Sequence, residues 1–299
     1  MSDFRLKVFR SAARHLSFTK ASEELYVSQP SVTRHIRELE TEYGQRLFER
    51  TGGRLLLTLA GERMLEHVER ILEAYSALDY EMKKMSGTQG GTLRIGASTT
   101  IAQYVLPQAL ALFSEKHSQA SIYLRNGNTE EIEQALLTHE IDLGLVEGGS
   151  RQRVLSYIPF MKDELVVVVR THNGLDLPEE LSVADLAAYP LVLREQGSGT
   201  LDVLAAALQA HGIPLTQLQS YVHLGSTESI KRFLQYTDSI GFLSIRAVRD
   251  ELASGVLKLI EVHDLPLTRE FSVVTRQGMQ SGLSADFVDF LMKNVRLLI

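Results

Sequence analysis

The 299-residue chain is 44% hydrophobic and 23% charged, a composition that suits a globular protein large enough for two or three domains. It has no cysteine, which excludes disulfides, thiolate catalysis and cysteine-held metals; no apolar run approaches a membrane span and no signal-like stretch opens the chain, so the cytoplasm is the expected location. The net charge of −6 is uneven, with 10 Lys and Arg against 7 Asp and Glu in residues 1–58 and 21 against 30 in the remainder, as suits a protein that meets nucleic acid at one end.

Residues 3–15 are expected to form a first helix, with Phe4, Leu6, Val8, Phe9, Ala12 and Ala13 as its covering face. Phe18, Ala21 and Leu25 lie at i, i+3 and i+7, one apolar face of a second helix of about two turns. Tyr26-Val27-Ser28 breaks that pattern. Ser28 is placed as the N-cap of a third helix, Pro30 falls in its first turn, Val32, Ile36 and Leu39 form its inward stripe, and Gly44 is its stop. The opposite face shows Gln29, Ser31, Thr33, Arg34 and Arg37. Such side chains donate to phosphates and base edges, and a helix offering them from its first turns fits a DNA major groove. Beyond Gly44, Arg46–Leu57 reads as a short hairpin with Gly52 and Gly53 at its turn and Arg50 and Arg54 on its arms. Residues 1–59 therefore read as a winged helix-turn-helix. Its DNA-contacting residues are expected to be Lys20, Gln29, Pro30, Ser31, Thr33, Arg34, Arg37, Arg50 and Arg54. Arg5, Arg10, Arg14 and His35 are further candidates for phosphate.

From Ala60 to about Met85 the sequence is helical. Met64, Val68, Ile71, Tyr75, Leu78, Met82 and Met85 are spaced 4-3-4-3-4-3, a heptad seam of the kind that pairs with another helix. Met64, Val68, Ile71, Tyr75, Leu78 and Met82 are the expected dimerisation residues of a linker over 60–87. A pair of such helices sets two recognition helices on half-sites about a DNA turn apart, or a multiple of it. Ser86–Gly91 is a polar, Gly-rich hinge. Residues 88–299 then alternate. Strands are expected at 92–97, 121–125, 142–146, 154–160, 164–170, 191–193, 221–223, 240–243, 257–261 and 269–275. Helices are expected at 106–115, 130–138, 201–211, 226–235, 246–254 and 285–297. Alternation of this kind means an α/β domain with largely parallel sheets.

The run Ser17–Gly61, SFTKASEELYVSQPSVTRHIRELE followed by LFERTGGRLLLTLAGE, resembles the N-terminal domain of the LysR-type transcriptional regulators, and length and layout extend the resemblance over the whole chain. The resemblance implies an α plus α/β protein: a winged helix-turn-helix on double-stranded DNA, a dimerising linker helix, and a two-lobed domain like the periplasmic binding proteins. Lobe I would span 92–162 and 266–299, lobe II 163–265, joined by two crossing strands. It also implies a regulator that works as a homodimer or homotetramer and needs no cofactor beyond a small-molecule effector. The lack of cysteine excludes the thiol switch of the family's peroxide-sensing members.

In open α/β sheets ligands bind beyond the carboxyl ends of the strands. Four such places here are rich in hydroxyls, amides and glycine: Ser98, Thr99 and Thr100 with Gln103; Asn128 and Thr129; Gln196, Gly197, Ser198 and Thr200; and Ser226 with Thr227. Their Ser and Thr residues equally suit helix N-caps. Helix N-termini with such side chains are anion-binding geometry, so a small carboxylate or oxyanion is expected. The stretches IGASTTIAQYVLP, LVEGG and REQGSGT are similar to those of members governing sulfur assimilation or carbon fixation. Leu201-Asp202 stands where such members often carry arginines. Glu147 is expected at the cleft, with Arg194, Lys231 and Arg232 as candidate cations. The nine histidines show no metal-ligand spacing, and no G-x-S-x-G elbow, P-loop, H-E-x-x-H or Cys–His pair is present, so neither a metal site nor an enzyme is expected.

Overall fold

The computed structural model describes residues 4–86, 90–149, 151–175, 177–178, 180–218, 220–278 and 282–298. The chain divides into two compact units, Met1–Gln89 and Gly90–Ile299. Of the expected hinge, Gly87, Thr88 and Gln89 lie outside the described residues, and Gly90 and Gly91 already belong to a strand.

The first unit contains α1 (Phe4–His15), α2 (Phe18–Glu24), α3 (Gln29–Tyr43), a wing of β1 (Phe48–Thr51) and β2 (Arg54–Leu57), and α4 (Leu59–Met85). Three of these helices start on a hydroxyl. Ser17, Ser28 and Thr58 accept the N–H groups of Lys20, Ser31 and Gly61, each satisfying a donor that has no partner within its helix. Gly44 ends α3 in the left-handed conformation at φ 62°, and its N–H donates to the Glu40 carbonyl. Val8, Phe9, Ala12, Ala21, Val32, Ile36, Leu39, Leu47 and Phe48 form one buried cluster. In the wing, Phe48 pairs with Leu57 and Thr51 with Arg54, leaving Gly52 and Gly53 as a two-residue loop with both φ positive, the geometry of a tight hairpin turn.

One expectation fails on α4. Val68 is only 1% exposed and packs in the same cluster as Val8 and Leu39, with Met64 and Leu65 against it. The first turns of α4 close the core of the helix-turn-helix, so Val68 is no part of a free pairing face. The stripe continues outward only from Ile71, through Tyr75, Leu78, Met82 and Met85, all exposed.

The second unit runs β3 (Gly90–Ser98), α5 (Thr99–Tyr104), α6 (Leu106–Lys116), β4 (Gln119–Gly127), α7 (Thr129–Leu137), β5 (Leu143–Glu147), β6 (Leu155–Arg170), β7 (Glu180–Leu181), β8 (Leu191–Arg194), α8 (Gly199–Ala210), β9 (Ser220–Leu224), α9 (Thr227–Leu234), β10 (Ile240–Ser244), α10 (Arg249–Ala253), β11 (Leu257–Val262), β12 (Thr268–Arg276) and α11 (Gly282–Asn294). The strands follow the order β4-β3-β5-β12-β6-β10-β8-β9, with β11 on β6 and β7 on β11. β3 pairs in parallel with β4 and β5, and β8 with β9 and β10. Between these parallel halves β12 and β6 run antiparallel to their neighbours, so the sheet is mixed rather than largely parallel.

The two strands expected at 154–160 and 164–170 are one. β6 pairs with β12 through Leu155–Glu164, then with β10 and β11 through Leu165–Arg170. It thus passes from one half of the domain into the other without a break, and β12 meets it at the crossing. Separate apolar cores sit on either side, one built on Ile132, Leu136 and Val274, the others on Leu165, Leu204 and Phe242 and on Val168, Ile230 and Leu243.

Candidate nucleic-acid interface and ligand cleft

On α3 the residues divide as their spacing requires. Val32, Ile36 and Leu39 are buried, while Gln29, Pro30, Arg34 and Arg37 are exposed and Ser31 and Thr33 half-buried beside them. Thr33 Oγ1 donates to the Gln29 carbonyl, and the Gln29 amide lies 3.5 Å from the same hydroxyl. Arg34 makes only a loose, exposed pair with Glu38 at 3.5 Å, worth little against a phosphate or a base edge. Arg37, Lys20 and the wing residues Arg50 and Arg54 are exposed, with no ion pair among the described residues. Glu40 holds the wing to α3: its Oε1 accepts the N–H of Leu47 at 2.8 Å and of Phe48 at 3.4 Å. All nine expected contacts therefore lie at the surface of the first unit.

The further phosphate candidates are otherwise engaged. Arg5 pairs with Glu42 at 2.7 Å. Arg14 donates to the buried Glu69 of α4 at 2.8–2.9 Å, with Arg10 at 3.8 Å from the same carboxylate. These arginines tie α1 to its neighbours. His35 packs edge-on against Phe4 and contacts Glu38, so it is a lining residue of the α1–α3 seam.

In the second unit Thr100, Glu147 and Thr200 of the expected cleft residues gather around a cation not foreseen there. Arg269, on β12 at the strand crossing, is fully buried. Its Nε donates to Asp163 Oδ2 at 2.8 Å, its Nη1 to Thr200 Oγ1 at 2.9 Å and its Nη2 to Thr100 Oγ1 at 3.3 Å, while Nη2 lies 3.1 Å from Glu147 Oε2. One guanidinium thus joins the start of α5, the end of β5, the start of α8 and both crossing strands. Thr129 Oγ1 donates to the Glu147 carbonyl at 2.8 Å. The glycines explain how closely the parts approach. A Cβ on Gly199 would stand 2.0 Å from the Glu147 carbonyl oxygen, and one on Gly148 2.9 Å from Gly199 Cα.

Next to this cluster lies Arg194 at the end of β8, with its guanidinium buried. It forks onto Glu195 at 2.8 and 2.9 Å and donates to Thr99 Oγ1 at 3.3 Å. Burial opposes ionisation of Glu195, but the hydrogen bonds and charge of Arg194 outweigh it and hold the carboxyl below its usual range. Arg194 Nη1, Ser98 Oγ and Gln103 Oε1 are buried without a hydrogen-bond partner.

Capping accounts for some of the remaining residues. Asn128 forms a capping box with Glu131, and its Nδ2 reaches the Gln196 carbonyl at 3.3 Å. Ser198 accepts the Thr200 N–H, next to Gly197 with its φ of +80°. Ser226 caps α9 through the Ser229 N–H, and among the described residues neither it nor Thr227 bonds to the other cleft residues. Ser98 differs: it stands at the N-cap of α5, yet its hydroxyl makes no capping bond.

Residues 4–62 match the family described as the bacterial regulatory helix-turn-helix proteins of the lysR family, and residues 86–296 match the LysR substrate binding domain. The chain belongs to the LysR family. It is similar to the RuBisCO operon transcriptional regulator of Acidithiobacillus ferrooxidans, at 30% identity over 96% of this chain and 92% of that one. Among solved structures it resembles the regulatory domain of CcmR from Synechocystis PCC6803 in complex with 2-PG, at 27% identity, covering 68% of this chain and 96% of that one with a TM-score of 0.61. It also shares the fold of full-length CbnR complexed with its target DNA, at 21% identity, 98% and 99% coverage and a TM-score of 0.61. The protein is a DNA-binding transcriptional regulator with an effector-binding domain, and not an enzyme.

Two corrections concern the cations of this LysR regulator. Lys231 is consumed: its ammonium lies 2.9 Å from both Glu228 and Glu251 and 3.3 Å from the Tyr104 hydroxyl, and Tyr104 itself bonds Glu228. Among the described residues Arg232 makes no bond to any cleft residue. The place Leu201-Asp202 left without arginine is filled from β12, since Arg269 reaches Thr200 from a strand 69 residues away in sequence. No local signal marks Arg269. It stands in a strand that reads as ordinary sheet, and only the pairing of β12 with β6 brings it to Asp163.

Proposed function

We propose that α3 of this regulator enters a DNA major groove, with Gln29, Ser31, Thr33, Arg34 and Arg37 at base edges and phosphates and Lys20, Pro30, Arg50 and Arg54 flanking them on the backbone. The DNA-binding domain is residues 1–59 and the linker 60–87. The linker pairs two protomers through Ile71, Tyr75, Leu78 and Met82, with Met64 at the margin. The protein acts in the cytoplasm, as a homodimer or a tetramer built from dimers. No described helix is long and apolar enough to cross a membrane.

Residues 88–299 bind the effector between lobe I, 92–162 with 266–299, and lobe II, 163–265. The effector is a small anion or carboxylate. Ser98, Thr99, Thr100, Gln103, Thr200 and Arg194 receive it. Asn128, Thr129, Glu147, Gln196, Gly197 and Ser198 hold the two sides in register. The observation that carries this reading is the buried Arg194 Nη1, left without an acceptor, with the Ser98 hydroxyl likewise unpartnered. Buried donors without partners cost free energy, and a carboxylate or oxyanion accepting from Arg194 Nη1 and the Ser98 hydroxyl removes that cost. Binding then biases the setting of the two lobes and, through the linker, of the paired DNA-binding domains.

A thermal-shift screen of 2-PG, small carboxylates and inorganic oxyanions tests the cleft: a true effector raises the melting temperature, and Thr100→Ala removes the rise. A panel in which nothing raises it, or a rise retained by Thr100→Ala, refutes the assignment. For the DNA half, Arg34→Ala is expected to weaken binding to a selected operator by about 1–3 kcal/mol in a gel-shift titration.

A further inference from the structure

A cavity in lobe II is lined by none of the four loops of the cleft. It has a volume of about 320 Å³ and is lined by Ile245, Arg246, Arg249 and Leu252, from the turn after β10 and from α10. Its volume is at the lower end of the range for small-molecule sites. Its lining combines two aliphatic side chains with two guanidinium groups three residues apart. Like charges on one wall repel, and nothing in the lining offsets them.

Neither arginine has its donors filled. Arg246 Nε is buried without a hydrogen bond and lies 3.7 Å from Asp163 Oδ1, whose own close donor is the Ser244 hydroxyl at 2.7 Å. Its Nη1 makes one long bond, 3.4 Å, to the Leu298 carbonyl. Arg249 is exposed and has no ion pair among the described residues. The nearby acid Glu251 is directed to Lys231 at 2.9 Å. The lining therefore combines the exposed Arg249 guanidinium, and an Arg246 whose hydrogen bond to the Leu298 carbonyl is long, with two aliphatic side chains.

The geometry points to a second ligand site here, one that takes a carboxylate carried on a compact apolar body. The carboxylate bridges Arg246 and Arg249, where two guanidinium groups offer charge-assisted hydrogen bonds, and the hydrocarbon covers Ile245 and Leu252. Arg246 shares Asp163 with Arg269, so this pocket and the cleft meet at one carboxylate while holding separate ligands.

Isothermal titration of isovalerate, a carboxylate on a branched alkyl group, into the full-length protein tests the site. One isovalerate per protomer is expected to bind. Arg249→Ala, a surface change that leaves the melting temperature of the free protein in place, is expected to weaken it at least about tenfold. Thr100→Ala is expected to leave the isovalerate affinity as it is. The proposal is overturned if isovalerate gives no binding, if Arg249→Ala binds it as the parent does, or if Thr100→Ala abolishes it, which would place it in the cleft. Inorganic phosphate binding as tightly as isovalerate overturns it too, because charge alone would then suffice.

Discussion

Arg269 balances two buried carboxylates, Glu147 and Asp163, and reaches two threonine hydroxyls with the same guanidinium. Buried ions are tolerated only when paired, and removing one partner strands the others. Arg269→Gln is therefore expected to lower the stability of the effector-binding domain by about 3–5 kcal/mol in urea denaturation, far more than loss of an exposed ion pair such as Arg34–Glu38. A loss under about 1 kcal/mol would mean that the carboxylates are solvated or protonated and that Arg269 is no linchpin. The residue was invisible in the sequence because its partners are 69, 106 and 169 positions away. Ser98 and Thr100, by contrast, were legible as hydroxyls at the carboxyl end of a strand, the place where open α/β sheets take ligands.

At the scale of elements, α4 shows how one helix serves two purposes. Its first turns lie on the helix-turn-helix core through Val68 and Leu72, and only later turns expose an apolar stripe. Gly61 sets the start of that packing, since a Cβ there would stand 2.2 Å from the Leu47 carbonyl oxygen and 2.9 Å from Leu57. Replacing it by Ala would favour helix by about 1 kcal/mol. The overlap is with backbone, which cannot swing aside, so Gly61→Ala is expected to destabilise the first unit by a net 1–3 kcal/mol, roughly, in thermal or urea melts. A neutral or stabilised variant would show that the wing retreats freely from α4. The heptad spacing located the stripe but not its start, because burial by a neighbouring core and burial by a partner helix demand the same residues at the same period.

For the whole molecule, the exposed residues Ile71, Tyr75, Leu78 and Met82 form one apolar stripe along α4 that the first unit leaves uncovered. If they pair two protomers, Leu78→Asp with Met82→Asp is expected to convert the protein to monomers in sedimentation velocity. Operator affinity should fall at least about a hundredfold, because each half-site is then bound alone. Circular dichroism should stay unchanged. A double variant that remains dimeric with full affinity would move the interface elsewhere.

The sequence by itself determined whatever depends on local periodicity and chemistry: the cap, stripe and stop of α3, the glycine turn of the wing, the lack of any thiol chemistry, and the hydroxyl-rich strand ends of the effector domain. These are short-range consequences of side-chain geometry, and they survive without knowledge of the neighbours. Tertiary structure alone decided that β6 is one strand crossing two halves, that Arg269 rather than Lys231 or Arg232 joins Thr100, Glu147 and Thr200, that Arg10 and Arg14 serve Glu69, and that Val68 is core. Each of those outcomes rests on which distant groups are brought within bonding reach, and buried charge takes the partner that the strand pairing supplies.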